Sequence, residues 1–254
     1  LLGEGGSLKP NFWRAVTDND MGAQSQSNFA AWRTPKMKLR SLTVDKKLKT
    51  VVAVYNMPAV KSTLTLTYQV EANGTLVVTQ DLKTTPGAKV SEMLRFGMVM
   101  NLPYDMDQVQ WNGRGPVENY SDRKISQNVG IYHATADDLF YPYVRPQETG
   151  TMSDLRWWNQ TNKNGVGFRV ESDKLFSASA LHYDLLTLDE GKEKKQRHSQ
   201  SVEKSKYTNL FIDLVQSGVG GVDSWGGDGR ARKGHRVEYK DYTFSFRIAP
   251  KTLY

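Results

Sequence analysis

The chain has no cysteine. That excludes disulfides, thiolate metal sites and a cysteine nucleophile, and it leaves the compartment open. No run of about eighteen apolar residues occurs, so no membrane-spanning helix is expected. The opening residues, LLGEGGSLKP, lack a basic segment followed by an apolar one and do not read as a signal peptide. They also lack an initiating methionine, so the chain reads as a piece of a longer polypeptide. A glycine-rich run at 217–230, SGVGGVDSWGGDGR, is not followed by Gly-Lys-Ser/Thr and is not a phosphate loop. Asp18, Asn19 and Asp20 lack the further oxygen ligands and distal glutamate of a calcium loop, and no metal site is expected.

Cations outnumber anions, with 34 Lys and Arg against 27 Asp and Glu, for a net charge of +7. The lysines are scattered over 36–49, with a second group at Lys192–Arg197. Neither group lies on an amphipathic helix and no nucleic-acid motif accompanies them, so they read as solvated surface, with neither nucleic acid nor membrane as partner.

What the chain does have is alternation. Leu64, Leu66, Tyr68 and Val70 alternate with Thr63, Thr65, Thr67 and Gln69, the period of a half-buried strand. Asn73-Gly74 and a second strand over Thr75–Leu82 follow, which is a strong hairpin signal. Further strands are expected at Lys38–Val44, Thr50–Tyr55, Leu94–Leu102, Gly165–Glu171, Phe176–Tyr183, Tyr207–Gln216 and Tyr239–Ile248. In the Phe176 strand, Phe176, Ala178, Ala180 and His182 share one face, which makes His182 a hydrogen-bonded core histidine before it is a ligand. Helix is sparse: one short helix in 25–33, a turn at Asp137–Phe140, and a loop or short helix over Leu185–Ser201. About ten strands and few helices predict one all-β domain over 1–254, a large antiparallel β-sandwich.

The chain is organised around Trp111–Arg123, WNGRGPVENYSDR. Gly113, Gly115 and Pro116 rule out a helix, and only its first residues suit a strand. The rest reads as an ordered loop carrying charge, the kind of place where binding groups sit. The plain alternative is a structural corner in which Arg114, Glu118, Asp122 and Arg123 pair with one another. A second loop, YPYVRPQETG at 141–150, adds Arg145 and Glu148, and KPNFWRAVTDNDMG at 9–22 adds Arg14, Asp18 and Asp20. Arg14 is placed to pair with those aspartates. Together Arg14, Asp18, Arg114, Glu118, Arg123, Arg145 and Glu148 form an expected network of paired charges at one end of the sandwich.

WNGRGPVENYSDR, PYVRPQETG, GGVDSWG at 220–226 and NFWRAVTDND at 11–20 together resemble the last domain of LacZ-type β-galactosidases, in that family's order. The resemblance implies a supersandwich of the galactose-mutarotase-like type, a C-terminal domain of a multidomain glycosidase. Retaining glycoside hydrolysis needs two carboxyl groups about 5–5.5 Å apart. No spacing here pairs any two of Asp18, Asp20, Glu118, Asp122, Glu148 and Asp223. In the family the two catalytic glutamates lie in a (β/α)8 barrel that these residues cannot build. The resemblance therefore implies no catalytic residue and no cofactor in this chain. It implies instead that Trp225 offers an aromatic face to a β-galactoside sugar at the mouth of the site, with Asp223 and Ser224 beside it. After Trp225 the chain departs from the family and runs GGDGRARKG. Trp157 and Trp158 are assigned to core or interface. The implied partners are the sugar, the catalytic barrel and a homo-oligomer, and the bacterial cytoplasm and periplasm both stay open. Two other readings compete: a stand-alone carbohydrate-binding module, and an aldose epimerase using His182 and Glu148 as its acid and base.

Overall fold

The computed structural model describes residues 1–189 and 197–251. All of the Lys192–Arg197 group but Arg197, and part of the stretch expected as loop or short helix at Leu185–Ser201, lie outside them. The described residues form β1 (Leu8–Asn11), β2 (Lys38–Asp45), β3 (Thr50–Met57), β4 (Ser62–Val70), β5 (Leu76–Thr84), β6 (Arg95–Pro103), β7 (Gln108–Gly115), β8 (Asn128–Thr135), β9 (Met152–Thr161), β10 (Gly167–Leu181), β11 (Tyr207–Gln216) and β12 (Tyr242–Lys251). Every pairing is antiparallel, and the strands run in the order β1-β6-β11-β10-β12-β5-β4-β3-β2, with β9, β7 and β8 branching from β10.

In the meander β2–β5 the first part of β4 follows its pattern, while Val70 at its end and all of β2 are exposed. Leu64 and Leu66 are buried while Thr63, Thr65 and Thr67 are half-exposed. The Asn73-Gly74 turn closes the β4–β5 hairpin: Asn73 Oδ1 accepts from the Thr75 amide at 3.0 Å, and Gly74 takes φ +83°. β12 continues this leaf, with Phe244, Phe246 and Ile248 inward.

β10 differs from its expectation. Gly165–Glu171 and Phe176–Tyr183 read as two strands, yet the backbone continues through the exposed residues Asp173–Leu175 with a bulge between Glu171 and Phe176. The first half pairs β12 and β9, and the second half pairs β11 and the start of β9. The second half is also buried on both faces, so Ser177 and Ser179 lie inside with Phe176, Ala178 and Ala180. This one strand joins the meander leaf to the leaf that carries the charged loops.

Three strands escaped the period-two reading. β1 has only four residues. β8 is an outer edge strand with Val129 and Ile131 exposed. β9 buries Ser153, Asn159, Gln160 and Thr161 along with its apolar residues, which erases the alternation. The helix expected over 25–33 is instead a turn at Ser25–Asn28 followed by a 3-10 turn at Ala30–Trp32; neither has a side-chain cap to extend it. The core centres on aromatics. Trp111 stacks on Trp158 at 5.7 Å, and Phe12 packs against Trp32 at 5.4 Å. Each such side chain contributes about 1.5–3 kcal/mol by leaving water.

Candidate functional site

The first five residues of the central stretch form the end of β7, where Gly113 admits Leu155 from β9. The chain then leaves the sheet and meets the other loops. Glu118, almost buried, is the hub. It accepts from Arg123 Nη2 at 2.5 Å, from the Gly150 amide at 2.6 Å, from Thr149 Oγ1 at 3.2 Å, and from the Tyr143 hydroxyl. One carboxylate thus ties the Trp111–Arg123 segment to both halves of the 141–150 loop. Burial, joined by the Glu118 charge, pushes the Tyr120 hydroxyl well above its ordinary pKa.

Several expected pairings are replaced. Arg114 does not pair within its own stretch. It reaches Asp154 at 2.6 Å and donates to the Gln127 carbonyl at 2.7 Å. Burial alone would raise the Asp154 carboxyl, but hydrogen bonds from Lys124 and Arg114 outweigh it and hold it below the usual range. Arg14, fully buried, takes Asp20 rather than Asp18, at 2.7 Å. The reason is local. Residues 18–22 are a helical turn capped by Thr17, and Asp20 folds back to accept from the Thr17 amide at 2.9 Å, which turns its carboxylate toward Arg14. The 18–20 segment is therefore part of a capped helical turn. Asp18 is exposed and accepts from Gln147 Nε2 at 3.2 Å, its link to the 141–150 loop. Arg145 is half-buried and makes no ion pair among the described residues.

Glu148 pairs inward with Arg95 Nη2 at 2.9 Å, and Asp213 stands 3.4 Å from Nε of the same guanidinium. All three are buried. Burial pushes the Asp213 carboxyl up to about 8, so Arg95 is not asked to balance two carboxylate charges at neutral pH. Arg95 and Asp213 sit in plain strand sequence, and nothing in their neighbours marked them.

The glycine-rich loop is fastened to this frame by its backbone. Asp122 accepts from the amides of Val219 at 3.1 Å and Gly220 at 2.9 Å. Arg14 Nη2 donates to the Gly218 carbonyl at 2.9 Å. A Cβ at Gly218 would lie 2.3 Å from the Asp122 carboxylate, and one at Gly22 would lie 1.7 Å from the Ser224 carbonyl. The helical turn and the loop therefore touch main chain to main chain, and Asn19 Nδ2 reaches the Asp223 carbonyl at 3.4 Å. Asp223 Oδ1 accepts from the Trp225 amide at 2.9 Å and shapes the turn. Ser224 Oγ lies 3.3 Å from Asn19 Oδ1. Trp225 itself is 77% exposed. A large indole on a loop held at several backbone points is a rigid apolar surface facing solvent.

Glu148 and His182 are not brought together. Glu148 is engaged by Arg95 and by Thr151 Oγ1 at 2.9 Å. His182 is buried, with Nδ1 2.9 Å from Asp137 and Nε2 3.1 Å from the Tyr104 carbonyl, and it stacks on the Tyr104 ring at 3.9 Å. Both ring nitrogens are occupied, so His182 and Glu148 are each engaged by separate partners. Trp158 is buried in the core, and Trp157 lies under the Arg169 guanidinium at 4.5 Å.

Residues 1–248 match the family model described as the β-galactosidase small chain, and the chain belongs to that family. It is 31% identical over 229 residues to a β-galactosidase of Priestia megaterium, covering 89% of this chain and 21% of that protein. A β-galactosidase of Lactobacillus delbrueckii subsp. bulgaricus is 35% identical over 222 residues, covering 85% of this chain and 21% of the relative. The chain thus spans about a fifth of the length of the curated relatives it matches. Among solved structures, an Escherichia coli K12 protein described as a putative aldose 1-epimerase aligns over 97% of this chain and 84% of its own, at 10% identity and TM-score 0.47. A Caenorhabditis elegans GalM/aldose epimerase homologue gives TM-score 0.43 at 8% identity, over 90% of this chain and 71% of its own. At that level neither lends this chain an activity.

Proposed function

We propose that this chain is the C-terminal β-sandwich domain of a β-galactosidase that hydrolyses terminal β-D-galactosides such as lactose. In this reading it supplies one wall of the active site and supports the catalytic barrel, and it carries neither catalytic carboxylate nor a cofactor. The observation that carries the reading is Trp225, 77% exposed at the tip of a loop fixed by Asp122 and Arg14. A sugar ring has patches of C–H that pack on an aromatic plane, and a fixed indole offers that plane at little cost in conformational entropy. Asp223 shapes the turn, and Ser224 lies beside it. The Glu118 and Arg14 contacts hold the loops as a scaffold facing the barrel.

The test pairs two measurements. In the assembled β-galactosidase, Trp225→Ala raises KM for lactose about tenfold, close to 1.4 kcal/mol. In calorimetry on the chain alone, no Trp225-dependent lactose binding tighter than about 1 mM is expected. Tight binding by the isolated chain that vanishes in Trp225→Ala would instead make it a carbohydrate-binding module.

A further inference from the structure

We propose that β2, the outer strand of the meander, is a docking edge for an extended acidic segment from another part of a β-galactosidase polypeptide. The inference rests on the reading of this chain as one domain of such a protein. β2 ends the sheet and pairs only with β3, so one side of its backbone is open. An open edge offers main-chain hydrogen bonds to a chain that lies down beside it as a further strand.

The side chains of β2 say which face that partner shares. The register jumps between Leu39 and Ser41. Residues paired directly across strands lie on one face of the sheet. Leu39 stands opposite Tyr55, Leu42 opposite Ala53 and Val44 opposite Val51, and those three stand opposite Leu64, Leu66 and Tyr68. Period two without the bulge would send Leu39 to the other face, so the extra residue gathers three apolar side chains on one. It is the core side, since Ala53, Leu64 and Leu66 are buried. Yet Leu39, Leu42 and Val44 are 56%, 58% and 58% exposed. The core side of the meander thus runs one strand beyond what the described residues cover.

Charge selects the occupant. Residues 36–49 hold six Lys and Arg against Asp45 alone, a net +5 out of +7 for the whole chain. None of the six makes an ion pair among the described residues. Lysines on an edge strand repel a second copy of the same edge, so self-pairing through β2 is disfavoured. The same charges attract an acidic chain and hold it in register. An anionic lipid surface would meet the charge and the leucines but leave the open backbone unpaired, which favours a strand. The chain spans about a fifth of its curated relatives, so most of such a protein lies outside it. A segment tethered in the same polypeptide docks at high effective concentration and needs little affinity of its own.

The experiment uses the assembled β-galactosidase. Leu42→p-benzoylphenylalanine is irradiated and the cross-linked peptides are identified by mass spectrometry. The expected product joins position 42 to one acidic segment outside these 254 residues. Amide exchange over 38–45 is followed in parallel. Lys38→Glu/Arg40→Glu, or ~0.5 M NaCl on the wild type, is expected to quicken it by about tenfold while 62–84 is unchanged. A cross-link to β2 of a second copy would overturn the proposal. So would the absence of any cross-link, exchange over 38–45 that neither the charge reversal nor salt alters, or protection that appears only with anionic phospholipid vesicles. The two readings fail separately. The expected cross-link with an unchanged KM in Trp225→Ala would sink the Trp225 reading alone, and a raised KM without the cross-link would sink this one alone.

Discussion

The two leaves of this sheet are built by different rules. The β2–β5 meander is made of neighbours in sequence, joined by tight turns and sorted into faces by alternation. Its outer strand β2 is exposed along its whole length, with Leu39, Leu42 and Val44 in solvent. The other leaf carries loops drawn from all parts of the chain, and its decisive contacts are polar and remote: Arg14 to Gly218, Asp122 to Val219, Arg95 to Glu148. The meander is held by burial summed over many small contributions. The loop end is held by a few buried charges, each of which is costly to lose. Buried ion pairs add little net stability, yet breaking one leaves its partner stranded.

That contrast can be broken from either side. The largest effect is expected from Arg95→Met, which strands Glu148 beside Asp213; a loss of about 3–5 kcal/mol in urea unfolding is expected. A loss under about 1 kcal/mol would mean the network is not what holds this end. Next is Gly22→Ala. Its added methyl collides with the Ser224 carbonyl and should push the 223–225 turn off its seat. Amide exchange should quicken over 219–225 by about tenfold while the meander is unchanged.

Asp213 gives a pH signature. With its carboxyl at about 8, the folded chain keeps a proton that the unfolded chain releases near pH 4. The stability from this group is complete below that value and is lost as pH rises through about 8. Asp213→Asn should therefore flatten the decline of unfolding free energy between pH 4 and 8, and an unchanged slope would count against the assignment. The smallest effect belongs to the meander: Leu42→Thr, on the exposed edge, should shift stability by no more than about 0.5 kcal/mol.

The same contrast explains what sequence reading reached. Strands whose two faces see different surroundings, such as β4 and β12, announce themselves, and Tyr207–Gln216 agrees end to end with β11. β9 does not, because its polar residues are buried with its apolar ones. Charged residues in glycine- and proline-rich loops stand out as candidates, but composition does not say which partner each one takes. Arg14 finds Asp20 because a Thr17 cap turns that carboxylate, and Arg114 finds Asp154 across forty residues of chain.

The grip of Asp122 on the glycine-rich loop has an evolutionary consequence. It holds amide hydrogens, which every residue but proline carries at Val219 and Gly220. Such a clamp is blind to side chains. Mutation can rewrite the tip of the loop without loosening its root. The sequence at the tip can then drift while the fold stays where it is.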